Sequence, residues 1–215
     1  MRQTIELTIN GESHATIVDT RETLLDTLRY KLGQLGPKEG CGNGNCGACT
    51  VVLNGAVVNA CLVYSVEAAG ADVTTVEGVA AEGNLHPVQQ AFIENGGLQC
   101  GFCTPGMIMT AVEILNQNPD STDAEVRHGL EGNICRCTGM RPIAQAAAKA
   151  AELLSETGRP AAPAAAGAAA PARTLRLTGR RSSWIAPTSL AELCALKAQH
   201  GDAATLVGGA TALSL

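Results

Sequence analysis

Three cysteines within nine residues, Cys41-Gly42-Asn43-Gly44-Asn45-Cys46-Gly47-Ala48-Cys49, constrain this chain more than any other stretch, and a fourth, Cys61, follows them. Their spacing is C-x4-C-x2-C-x11-C, a pattern by which four thiolates hold a [2Fe–2S] cluster. The intervening glycines fit that use, because a loop wrapped around a small cluster needs backbone angles that a Cβ would obstruct. Amides brought close by such a loop can also donate hydrogen bonds to the cluster sulfurs and tune their potential. A structural zinc site or a disulfide-rich loop is the competing reading. Zinc sites favour C-x2–4-C pairs set apart by a longer stretch, and this triplet matches that poorly.

What surrounds the loop is sparse in both charge and aromatic rings. Of 215 residues, 16% are charged and 2% aromatic, so any core is built from Ala, Val, Leu and Ile. A net charge of −5 and a pI near 5.4 leave no basic footprint for nucleic acid. The first residues, Met1 to Glu6, hold no apolar run of secretory-leader length. No stretch reaches the roughly 18 apolar residues of a membrane span. Nine cysteines in such a chain point to metal ligation in a reducing compartment rather than to disulfides. The expectation is a cytoplasmic protein without membrane insertion.

In chain order, Ile5, Leu7 and Ile9 alternate with polar residues, and Asn10-Gly11 turns the chain into a second strand carrying Ala15 and Ile17. Asp19, with Glu22 at the capping-box position, can cap a helix whose Leu24, Leu25, Leu28 and Leu32 share one face. After the cysteine loop, Thr50 to Leu53 and Ala56 to Ala60 read as a hairpin about Asn54-Gly55, and Val73 to Val76 as a further strand. Hairpin, helix, loop and hairpin predict a small β-grasp domain.

From His86 onward the pattern is helical. Pro87 suits a first helical position and Asn95-Gly96-Gly97 ends that helix. Thr104 and Pro105 predict a second helix that Asn118-Pro119 stops, and Thr122 with Glu125 forms a capping box for a third. A fourth runs from about Pro142 to Ser155. Cys100 and Cys103 precede one helix start, while Cys135 and Cys137 precede another. A four-thiolate cluster is an anion, and helix N-termini offer free N–H groups and a positive dipole end. Two cysteine pairs capping helices, bound to zinc or left free, are the alternative. The four histidines, His14, His86, His128 and His200, lack ligand spacing, which leaves them surface or capping roles.

Residues 156–182 are read as a linker, because the Ala/Pro/Gly tract at their start has almost nothing to bury. Beyond it, Thr188 or Ser189 can cap a helix from Leu190 to about Gln199, with Cys194 buried inside it. A short strand from Ala204 then leads into Val207-Gly208-Gly209-Ala210-Thr211, whose small residues would let a phosphate approach backbone amides.

Taken together, C-G-N-G-N-C-G-A-C-T, then Q-C-G-F-C-T-P-G, then C-R-C-T-G resemble the iron–sulfur component of the molybdenum hydroxylases. These are enzymes of the xanthine dehydrogenase, aldehyde oxidoreductase and carbon monoxide dehydrogenase types, and the likeness spans residues 3–155. It implies an α+β chain: a plant-type ferredoxin-like domain at 1–80 and an all-α four-helix [2Fe–2S] domain at 81–155. The linker and an incomplete α/β FAD-binding domain at 183–215 follow. One cluster would sit on Cys41, Cys46, Cys49 and Cys61, the other on Cys100, Cys103, Cys135 and Cys137.

By the same resemblance, the substrate is oxidised on a molybdopterin-binding large subunit, and no catalytic residue lies on this chain. Gln99 and Cys137 would lie against the pterin, and the ferredoxin-like cluster would pass electrons on, commonly to FAD. Val207, Gly208, Gly209, Ala210 and Thr211 resemble the flavin pyrophosphate loop. With only the opening of that domain present, FAD is expected to bind only when an FAD-binding subunit or domain supplies the rest. Against this electron-transfer reading stand a zinc-binding interaction module with no redox role and a free ferredoxin, which would need no helical docking domain.

Overall fold

The computed structural model describes residues 1–80, 83–157, 175–178 and 183–204. The chain forms two compact units, Met1–Gly167 and Ala168–Leu215.

The first unit opens with a hairpin of β1 (Arg2–Ile9) and β2 (Glu12–Asp19). Asn10 and Gly11, at φ 51° and 86°, are both left-handed, the geometry a two-residue turn needs to match the strand twist. That turn fixes which side chains face the core. Ile5, Leu7 and Ile9 are buried, whereas Ala15 and Ile17, read as the apolar residues of the second strand, are exposed. The register explains this: Ile17 stands opposite Thr4 and Ala15 opposite Glu6, and directly opposed residues share a face. Val18 is the buried residue of this edge strand.

The next helix starts at Thr23 rather than at Asp19. Thr23 Oγ1 accepts from Asp26 N at 3.1 Å and Asp26 Oδ2 accepts from Thr23 N at 3.3 Å. The single turn α1 (Leu24–Asp26) widens into a π-helical turn, Thr27–Lys31, and buries Leu24, Leu25 and Leu28. Glu22 is drawn into a different set of bonds, accepting from Asp19 N at 3.3 Å, Thr27 Oγ1 at 2.6 Å and Lys31 Nζ at 2.6 Å.

β3 (Thr50–Leu53) and β4 (Ala56–Asn59) form the second hairpin, and β5 (Asp72–Thr74) pairs parallel to β1 and antiparallel to β3. The sheet order β2-β1-β5-β3-β4 is that of a β-grasp. β5 is shorter than the expected run to Val76 because Thr75 leaves the ladder, its N–H bonding Asn10 Oδ1 at 2.9 Å.

Among the described residues four further helices complete this unit: α2 (Pro87–Glu94), α3 (Thr104–Gln117), α4 (Asp123–Gly129) and α5 (Arg141–Thr157). Phe92, Met107, Leu115, Leu130 and Ile143 fill their core, against Ala146, Ala147 and Ala150 of α5. The alanines leave α5 a low-relief face on which α2 packs closely. His86 caps α2, its Nδ1 accepting from Val88 N at 3.2 Å while Gln89 Oε1 accepts from His86 N at 2.9 Å. The Thr122–Glu125 box is present at α4. Thr104 is the first helical residue of α3 rather than its cap, and Cys103 takes the cap position. α3 packs on β3 as well as on the other helices, so it joins the sheet to the bundle.

In the second unit, β6 (Leu175–Thr178) pairs antiparallel with β7 (Ser183–Ala186), followed by α6 (Leu190–His200). β6 therefore lies inside the 156–182 stretch read as a linker. Ser189 caps α6, its Oγ accepting from Glu192 N at 3.2 Å. Cys194 is exposed rather than buried, and α6 buries none of its described side chains. The strand expected to reach Val207, the loop Val207 to Thr211, and residues 158–174 lie outside the described residues.

Candidate metal centres

Cys41, Cys46 and Cys49 lie on the loop entering β3, and Cys61 on the turn leaving β4, so the second hairpin brings the four together. The Cys46 thiol acts on Cys41, and the Cys61 and Cys46 thiols both act on Cys49, so the four lie within reach of one another. Burial opposes ionisation of Cys41, but the N–H groups of Asn43, Cys46 and Asn45, together with the Cys46 thiol, outweigh it and bring this thiol down to about 7. Cys49 is the buried member, and burial, with the Cys61 thiol against it, pushes it up to about 12. The loop is held by its surroundings: Lys38 N donates to Ala48 O at 2.8 Å and Asn59 Nδ2 to Gly44 O at 3.1 Å.

The second quartet assembles from two stretches distant in sequence. Cys137 Sγ lies 3.4 Å from Cys100 Sγ, and Cys103 pairs with Cys135. The Phe102 N–H and the Cys137 thiol lower Cys100, whereas burial and the Cys135 thiol push Cys103 up to about 12. Burial acts against ionisation of Cys135, yet the hydroxyl and N–H of Thr138, with the Cys137 N–H, bring its thiol below the usual range. Thr138 Oγ1 and N lie 3.1 Å and 3.4 Å from Cys135 Sγ.

This grouping bears on which metal group the cysteines suit. In a binuclear cluster each iron takes two of the four protein ligands, which four thiols within reach of one another can supply. Within three pairs of neighbouring thiols one is lowered and the other raised, as expected where two like groups compete for one proton. Binding a metal releases that proton. The backbone N–H groups directed at the sulfurs then serve a thiolate-bound anion. The donor set fits [2Fe–2S], and the zinc-module alternative finds no support in it.

The two loops are bonded to each other. Ile134 N, one residue before Cys135, donates to Cys46 O at 2.9 Å. Asn133, 6% exposed, donates from Nδ2 to Gly47 O at 3.0 Å, and its Oδ1 accepts from Thr110 Oγ1 at 2.9 Å. The backbones are in close contact here. Gly47 has φ 67°, and a Cβ on Gly106 would run into the Gly47 carbonyl oxygen. Sequence reasoning missed Asn133 and Gly106, since neither belongs to a cysteine spacing. The remaining predicted positions divide. Gln99, Cys100 and Cys137 are exposed, with Gln99 adjacent to Cys100, whereas Val207, Gly208, Gly209, Ala210 and Thr211 lie outside the described residues.

Comparison with known proteins agrees with this architecture. Residues 7–75 match the 2Fe-2S iron-sulfur cluster binding domain and residues 75–148 the [2Fe-2S] binding domain. The chain is 46% identical over 149 residues to the nicotinate dehydrogenase small FeS subunit of Eubacterium barkeri, an overlap of 69% of this chain and 95% of that protein. It is 37% identical to the xanthine dehydrogenase/oxidase of Mus musculus over 88% of this chain and 18% of that protein. Among solved structures it is similar to quinoline 2-oxidoreductase from Pseudomonas putida, with TM-score 0.70 and 40% identity over 74% of this chain and 99% of that one.

Proposed function

The chain belongs to the small iron–sulfur subunits of the molybdenum hydroxylases, and we propose on that premise that each cysteine quartet holds one [2Fe–2S] cluster. It is an electron-transfer component of a molybdenum-containing oxidoreductase. Cys41, Cys46, Cys49 and Cys61 ligate one cluster, and Cys100, Cys103, Cys135 and Cys137 the other. The observation that carries this assignment is that each quartet's thiols lie within electrostatic reach of one another, Cys137 Sγ 3.4 Å from Cys100 Sγ, in two stretches that match two cluster-binding domains. Such a cluster supplies reversible one-electron chemistry when bound. The chain's own residues hold it, direct N–H groups at its ligands, and connect one site to the other through the hydrogen bond from Ile134 N to Cys46 O.

The two sites differ in what they would meet. The exposed edge at Gln99, Cys100 and Cys137 is where a large partner subunit brings its molybdopterin. Leu98 and Phe102, 40% and 47% exposed beside it, give that partner apolar surface to cover. Cys41, exposed on the other loop, marks the side from which electrons leave toward FAD. Residues 183–215 are the opening of an FAD-binding domain. The overlap with the mouse relative supports this, since 88% of the chain reaches past the two cluster domains.

Elemental analysis of anaerobically prepared protein tests the central reading. About four iron and four labile sulfide per chain are expected from two binuclear clusters, and zinc in place of iron would overturn it. Flavin fluorescence tests the C-terminal reading, because stoichiometric flavin on the isolated chain would contradict it.

A further inference from the structure

Thr138 follows the last cysteine of the second quartet, and its hydrogen bonds leave one place for its hydroxyl hydrogen. Met140 N donates to Thr138 Oγ1 at 3.2 Å. A backbone N–H can only donate, so the hydroxyl oxygen is the acceptor in that bond. The peptide that carries this N–H is turned back by Gly139, which is left-handed at φ 69°, a conformation a Cβ would disfavour. With its oxygen engaged, the hydroxyl directs its hydrogen at Cys135 Sγ, 3.1 Å away, and the Thr138 N–H approaches the same sulfur at 3.4 Å.

We propose that Thr138 is a tuning residue for the helical-domain cluster, its hydroxyl raising that cluster's reduction potential through the ligand sulfur of Cys135. The proposal rests on the reading that this quartet holds a [2Fe–2S] cluster. One-electron reduction adds one negative charge, shared among the irons, sulfides and thiolates. A donor hydrogen-bonded to a ligand sulfur then interacts more strongly with the reduced state than with the oxidised one. Among the described residues no side-chain hydroxyl is hydrogen-bonded to a sulfur of the other quartet; backbone N–H groups serve Cys41, and Asn59 Oδ1, 3.9 Å from Cys49 Sγ, can only accept. The hydroxyl therefore acts on one cluster and not on its neighbour.

The test is an EPR-monitored redox titration of the full chain with both clusters loaded, the signals assigned with Cys46→Ser. Iron and sulfide are measured first, so that zinc or absent clusters in the unsubstituted protein would count against the cluster reading and not against the role of Thr138. Thr138→Val keeps the shape and removes the hydroxyl, Thr138→Ala removes it with less bulk, and Thr138→Ser restores it. Expected is a roughly tenfold loss in the reduced-to-oxidised ratio of the helical-domain cluster at fixed potential, ~59 mV downward for a one-electron couple. It should appear in the valine or alanine variant, with the serine variant and the other cluster unchanged. Three outcomes would overturn the proposal: no shift in fully loaded hydroxyl-free protein, an equal shift of both clusters, or loss of the helical-domain iron from both the valine and the alanine variants. The last would make the hydroxyl an assembly element.

Discussion

The two cysteine quartets gather their thiols by different routes. In the sheet domain Cys41 to Cys61 are neighbours in sequence, and one loop with one hairpin closes the site. In the helical domain, α3 and α4 intervene between Cys103 and Cys135, so that site exists only once the bundle has packed. The first quartet is served by backbone N–H groups, while the second adds a side-chain hydroxyl. Yet the scaffolds are not separate, because Ile134 N and Asn133 Nδ2 are bonded to the backbone of Cys46 and Gly47. Independence of ligands and dependence of scaffold are thus distinct properties, and each can be tested.

The largest expected effect tests the ligands. Cys46→Ser should remove the sheet-domain cluster and leave the other, while Cys135→Ser or Cys137→Ser should do the reverse. Serine is nearly isosteric but offers a hard, barely acidic oxygen where iron–sulfur bonding needs thiolate. Iron content should fall by about half in each case, with one EPR signal lost and one kept. Cys46 contributes only its carbonyl to the contact between the loops, which serine retains. A single substitution that abolished both signals would break the comparison.

Next comes the contact between the loops. Gly106→Ala places a methyl against the Gly47 carbonyl, and backbone cannot yield as a side-chain tip can, so a loss of about 2–3 kcal/mol is expected. Gly132→Ala is the control: a Cβ there meets nothing within 4 Å, and the change should stay within about 0.5 kcal/mol. Asn133→Ala removes one bond from Gly47 O, which keeps Thr50 N and Oγ1, and one from Thr110 Oγ1, which keeps Gly106 O, so about 1 kcal/mol per lost bond is expected. Denaturant unfolding followed by cluster absorbance would measure all three. If Gly106→Ala and Asn133→Ala weakened neither cluster's retention, the scaffolds would be independent after all.

What could be read in advance follows the reach of each interaction. Asn10-Gly11 and Asn54-Gly55 announce their turns because left-handed pairs favour those residues, and the structure has all four at positive φ. Thr122 and Glu125 announce a capping box closed within three residues. Ala15 and Ile17 misled because alternation shows that a strand has two faces without showing which is covered; the register from Asn10-Gly11 decides it. Asn133 left no local trace, since Gly47 and Thr50 lie 86 and 83 residues away. Thr138 belongs to no cysteine spacing, and only the folded turn reveals that its hydroxyl meets Cys135.

The smallest expected effect separates the domains by acid. The helix of the sheet domain is capped by Thr23 and Asp26, and the turn before it is held by Glu22, whereas α2 of the helical domain is capped by His86. Burial lowers the pKa of His86 from 6.5. A base with a depressed folded value is protonated more readily in the unfolded chain, so its stabilising effect is complete above 6.5 and is lost as pH falls from there toward the folded value. Protonation at Nδ1 also removes the acceptor for Val88 N, ending the cap. Burial raises Glu22, but Lys31, the Thr27 hydroxyl and the Asp19 N–H outweigh it and hold its carboxyl below 4.5. Its contribution is therefore present above 4.5 and lost only as pH falls through the lower folded value. Between these two windows α2 should loosen while the sheet domain stays intact, a change of about 1 kcal/mol, the range of one helix cap. Hydrogen exchange of the Val88 to Ala91 amides, compared with those of β1 between pH 7 and pH 5, would detect it; His86→Asn, which keeps a cap without that titration, should flatten the difference. Equal acid response of both domains would show that His86 does not set it.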